Sequence, residues 1–124
     1  LGVGKPYNVD SRLQDFLLAH CFGEQDKTVN SKDLLNSIAS YTDNNLETPS
    51  PNHLFGLLAY KKLGKDSEAN KLLKILGGPT NEANRRNKLA LAFYKNDREA
   101  LAKMKDENIV DEGTWNILEA SLNY

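Results

Sequence analysis

The chain is poor in the residues that do metal and redox chemistry, with one cysteine, one methionine and two histidines in 124 residues. A single thiol, Cys21, excludes an internal disulfide framework and any cysteine-rich zinc site. No run approaches the roughly 18 apolar residues that a membrane span needs, so no membrane partner is expected. No basic stretch followed by an apolar one opens the chain, which predicts no signal peptide within it. The first residue is Leu1 rather than Met, as expected of a processed product or of a piece of a longer protein. Strand signals are almost absent. What is present suits one folded domain, since 40% hydrophobic residues can offset the entropy of ordering.

The net charge of −1 conceals an uneven distribution. Residues 1–50 hold four bases against seven acids, residues 51–105 twelve bases against five acids, and residues 106–124 five acids and no base. The basic middle could attract a polyanion, but no aromatic residues interleave with the bases to stack on nucleobases, so no nucleic-acid partner is expected. Self-screening charge on helix surfaces accounts for the same pattern.

Apolar periodicity predicts seven helices and no sheet. Leu13, Phe16, Leu17 and His20 follow the i, i+3, i+4, i+7 spacing of one helix face, after the capping residues Asp10 and Ser11. A second set, Leu34, Leu35, Ile38 and Tyr41, follows Asn30 and Ser31. Ser50 and Pro51 read as a cap and first helical residue, and Gly64 as the stop. Asp66 restarts the chain until Gly77, Gly78 and Pro79. Thr80, Asp97, and Asp111 or Thr114 begin the last three helices. The expected division is a leader over 1–10 and one domain over 11–124.

The chain also resembles itself. Leu57-Leu58-Ala59-Tyr60 lies over Leu17-Leu18-Ala19-His20 at an offset of 40, with three of four residues identical. At an offset of 31, Lys65-Asp66-Ser67-Glu68-Ala69 lies over Asn96-Asp97-Arg98-Glu99-Ala100. A helix, a tight turn, a second helix and a connector thus recur about three times, the first copy carrying an insertion over Gly23–Asn30. Tyr60, Leu63, Gly64, Glu68, Ala69, Leu73, Leu76 and Pro79 resemble a tetratricopeptide repeat in their order. The resemblance covers residues 13–104, with 109–124 as a cap. It implies an all-α fold, a right-handed superhelix of about three antiparallel helix pairs plus a C-terminal capping helix. The opening Leu1-Gly2-Val3-Gly4-Lys5-Pro6 is similar to linkers in large bacterial proteins of carbohydrate metabolism, which carry such repeats at their C-terminal end. That likeness makes an accessory domain acting in cis the alternative reading.

Catalytic constellations fail on geometry. Gly2-Val3-Gly4-Lys5 lacks the spacing and the Ser or Thr of a phosphate loop. His20 and Cys21 are helix neighbours about 100° apart, so the imidazole is badly placed to activate the thiol. His20 is expected to pack, Cys21 to be a half-buried small residue, and His53 to stand alone. Asp66, Asp97 and Asp111 read as caps rather than as an acid–base pair. No enzyme activity, cofactor or metal is expected. The resemblance instead implies a concave groove lined by the first helix of each pair. Its partner-binding residues would be Leu58, Lys61, Lys62, Arg85, Leu89 and Phe93, with Lys61, Lys62, Arg85 and Arg86 forming a basic wall. The partner would be a protein or peptide, acidic in character, or another domain of the parent chain.

Overall fold

The computed structural model describes residues 10–123. The leader therefore lies outside the described residues except for Asp10, as do the segments compared above with a phosphate loop and a linker. Among the described residues the fold is all-helical, with no strand. The helices are α1 (Arg12–Glu24), α2 (Thr28–Asn44), α3 (His53–Leu63), α4 (Asp66–Leu76), α5 (Arg85–Lys95), α6 (Arg98–Lys105) and α7 (Glu112–Ser121). A 3-10 turn, Glu82–Asn84, leads into α5, so that helix starts later than Thr80 suggests.

Three junctions turn in the same way. Asp26, Gly64 and Asn96 adopt left-handed φ angles of 60°, 73° and 54°. At each, the next residue donates its backbone N–H five residues back: Lys27 to Phe22 at 2.8 Å, Lys65 to Tyr60 at 2.8 Å and Asp97 to Ala92 at 2.9 Å. The left-handed residue itself donates to the carbonyl three residues back, at Gly23, Lys61 and Phe93. This double bond pattern satisfies two of the carbonyls a helix end leaves orphaned, a Schellman motif. Gly adopts such a φ freely, and Asn and Asp tolerate it better than other side chains.

The turns correct two expectations. Gly23–Asn30 is not an insertion: Asp26 makes the tight turn there, and the surplus residues lengthen α1 and α2 to 13 and 17 residues. Helix α2 accordingly begins at Thr28, ahead of Asn30 and Ser31. The third turn pivots on Asn96, so Lys95 aligns with Leu63 rather than with Gly64 and the later offset is 32.

Helix α3 is the centre of the core. Seven of its eleven residues are buried, because α1, α2, α4 and α5 all pack against it. Helix α1 packs on α2 and also on α3, and α5 packs on α3, α4 and α6. Phe16 meets Phe55 with ring centroids 5.4 Å apart, and Phe93 meets Trp115 edge-on at 4.9 Å. Tyr60, buried in α3, donates its hydroxyl to Asp43 of α2; burial and the carboxylate both push its pKa up. Asp97 and Asp111 cap as expected, accepting the amides of Ala100 and Thr114. Asp66 does not cap; it is the first residue of α4.

The α2–α3 crossing is close. A Cβ at Gly56 would stand 2.5 Å from Oγ1 and 2.7 Å from Cγ2 of Thr42. Thr42 cannot step aside cheaply, because its hydroxyl donates to the Ile38 carbonyl and accepts from Arg12. Gly56→Ala therefore overpacks the crossing and lowers stability by about 1–3 kcal/mol. Urea denaturation checks this, and an unchanged midpoint would mean that the helices are not this close.

Candidate functional site

Two clusters of polar side chains stand out, one buried and one open. The buried cluster is built on Arg12, which shares a helix stripe with Phe16 and Ala19 and is only 2% exposed. All five guanidinium N–H groups find an acceptor. Nε and Nη2 donate to the two oxygens of Asp10 at 3.0 and 2.8 Å. Nη1 donates to Thr42 Oγ1 at 3.0 Å and to His53 Nδ1 at 2.9 Å, and Nη2 reaches Ser50 Oγ at 3.5 Å. The Tyr41 ring lies 4.9 Å from the guanidinium carbon, within cation–π range. Since arginine only donates, Nδ1 of His53 must accept, which assigns its proton to Nε2, 2.8 Å from the Thr48 carbonyl.

The charges follow from that arrangement. Burial, and then the neighbouring Arg12 cation, push the pKa of His53 down to about 4, so the ring is neutral near pH 7. Burial alone would raise the Asp10 carboxyl; the hydrogen bonds and charge of Arg12, helped by Asn52, reverse this and hold it below its ordinary value. Ser50 extends the network by donating its backbone N–H to Asn87 of α5 at 3.0 Å. With every guanidinium donor matched, and Arg12, Thr42 and His53 buried, the cluster joins helices, and only Asp10, Ser50 and Asn52 at its rim reach the surface. His53 thus does not stand alone, and Asp10, the last residue of the expected leader, is bonded to Arg12 and Asn52.

The open cluster lines a cleft of about 720 Å³ where α3, α5, α6 and α7 meet. The half-buried Leu58 and Leu122 give it apolar walls, backed by the buried Phe93 and Leu101. Tyr94, Asn96, Arg98, Glu119 and Asn123 supply the polar groups, and all of these except Tyr94 are exposed. The left-handed turn at Asn96 and the start of α6 place Asn96 and Arg98 side by side at its edge. An apolar wall with a cation, an anion and two amides can hold a peptide by side-chain insertion and hydrogen bonding.

The residues expected to bind a partner do not gather in one groove. Leu58 and Phe93 meet at this cleft, Leu58 half-buried and Phe93 fully buried. Leu89 is also fully buried, so neither Leu89 nor Phe93 presents its face to a partner; α5 is covered by α3 on one side, and its Phe93 by Trp115 of α7. Lys61 is exposed on α3. Lys62 lines a separate cleft of about 250 Å³ with His20 and Glu24. Arg85 lies 3.5 Å from Glu82, away from both. The basic wall is dispersed. Cys21 is exposed rather than half-buried, and His20 sits partly exposed, 3.7 Å from Glu24.

Sequence reasoning passed over Arg12, Thr42, Asn96, Arg98, Glu119 and Asn123. Arg12 carried a signal, since its i, i+4, i+7 relation to Phe16 and Ala19 places a base on an apolar stripe. Among the described residues no group of three or more His, Cys, Asp and Glu is placed to hold a metal ion, and no helix is long and apolar enough to cross a membrane. Comparison with protein-family models, curated proteins and solved structures finds no match to this chain.

Proposed function

We propose that the chain is a non-catalytic interaction module of tetratricopeptide-like build. In this reading three antiparallel helix pairs wind into a short right-handed superhelix, and α7 caps it. The carrying observation is the Schellman turn at Asp26, Gly64 and Asn96, combined with the packing of α1 on α3 and α3 on α5. Stacked units of one design bury faces that none could bury alone, and leave clefts where neighbours meet. The partner, a separate protein or another domain of the parent chain, presents a peptide segment to the cleft of Leu58, Tyr94, Asn96, Arg98, Glu119 and Leu122.

A random-peptide library displayed on phage tests this directly. Selection on the chain should enrich related sequences with apolar residues flanked by charge. Those peptides should bind at least tenfold more weakly to an Arg98→Glu, Glu119→Lys variant, whose changes are exposed and leave the core alone. No enrichment, or equal binding to the variant, would contradict the assignment.

A further inference from the structure

The Arg12 cluster has a property that its structural role does not require. Five acceptors surround one guanidinium, and one of them is a titratable ring nitrogen, Nδ1 of His53, 2.9 Å from Nη1. The other ring nitrogen already donates to the Thr48 carbonyl. A proton added to Nδ1 would face only a donor, converting a hydrogen bond into a contact between two cations inside a buried site. The groups facing His53 offer no relief. From α1 and the residue pair before it come Arg12 and Asp10; from α2, Thr42, with the Tyr41 ring beside the guanidinium; from the α2–α3 connection, Thr48, Ser50 and Asn52. Asp10 is the one anion among them, and Arg12 already occupies both of its oxygens. The site accommodates one positive charge and not two.

The position of the cluster decides what a second charge would move. It ties the start of α1 to the α2–α3 connection and to the first residue of α3. We propose that the Arg12–His53 contact is an acid-operated latch, which releases the start of α1 from the α2–α3 connection when His53 takes up a proton. The latched form binds that proton less readily than the open form, in which a histidine has its ordinary value of 6.5 rather than about 4. Latching is therefore complete above about pH 6.5 and weakens as the pH falls towards 4, by up to two or three orders of magnitude in the closed-to-open ratio. Asp10, held below its ordinary value of 3.8, titrates beneath that window. The latch and the peptide cleft involve different residues, so either can fail alone.

Amide hydrogen exchange of the whole chain between pH 7 and 4, corrected for intrinsic rates, is the test. The expected result is progressive loss of protection in the first half of α1 and around His53, while α5 stays protected. A His53→Asn variant keeps an oxygen for Arg12 and cannot titrate, so its α1 protection should be independent of pH in this window. Flat protection in the native chain, the same acid loss in the variant, or α1 and α5 opening together would overturn the latch. Should the variant fail to fold, the ring signals of His53 in the native chain decide. His53 titrating near 6.5 without any response in α1 would equally dismiss the proposal.

Discussion

Arg12→Met should lower the unfolding free energy by about 3 kcal/mol, the lower end for breaking a buried ion pair, because Asp10 keeps 24% of its side-chain surface in water. Methionine fills most of the volume, so the cost does not come from a cavity. It comes from what remains: the Asp10 carboxylate without its bidentate partner, Thr42 Oγ1 without a donor, and Nδ1 of His53 facing an apolar chain. Arg12→Lys should recover little, because an ammonium cannot span acceptors on three sides as a planar fork does. Chemical denaturation measures both. A methionine variant within about 0.5 kcal/mol of the native chain would mean that the network does not hold α1 in place.

Trp115→Ala is the second large effect, expected at about 3–5 kcal/mol where the helix end unfolds with the core. Helix α7 buries Trp115, Leu118 and Ser121, and Trp115 stands edge-on to Phe93 at 4.9 Å, a geometry that adds to simple burial. Truncation leaves a void beside Phe93 and removes the main anchor of the last helix. In a linear array a terminal loss can also show as local fraying. Hydrogen exchange should then find α7 unprotected while α1 to α4 are unchanged. Full protection of α7 together with unchanged stability would contradict its docking.

What could be read from the sequence was what local chemistry decides. Gly64 as a helix stop, the restart at Asp66, and Asp97 and Asp111 as caps depend on residues within one turn of each other, and the structure has each helix boundary close to its signal. The misplaced start of α2 has a local cause as well: Asp26 does the work usually given to glycine, which leaves no glycine to mark the turn. The same substitution by Asn96 shifts the later register by one residue, or about 100° around a helix, so that Leu89 aligns with the buried Leu57; Phe93 still aligns with the exposed Lys61 and is buried because Trp115 of α7 packs on it. The Arg12 network was hidden for a different reason. Its partners Thr42 and His53 lie 30 and 41 residues away in the chain, so only the packing of α1 against α2 and α3 brings them together. The cleft likewise draws on four helices, and no linear pattern marks Arg98, Glu119 and Asn123 as neighbours.

The most direct measurement of where this chain binds is an amide-shift map of the isotopically labelled protein titrated with the tightest peptide from the library selection. Shifts are expected at Tyr94, Asn96, Arg98 and Asn123, with Leu58 following as the wall of the cleft adjusts. Shifts concentrated instead at Lys61, Lys62 and Arg85, with the α5–α7 junction unmoved, would contradict this placement and restore the basic face as the binding surface.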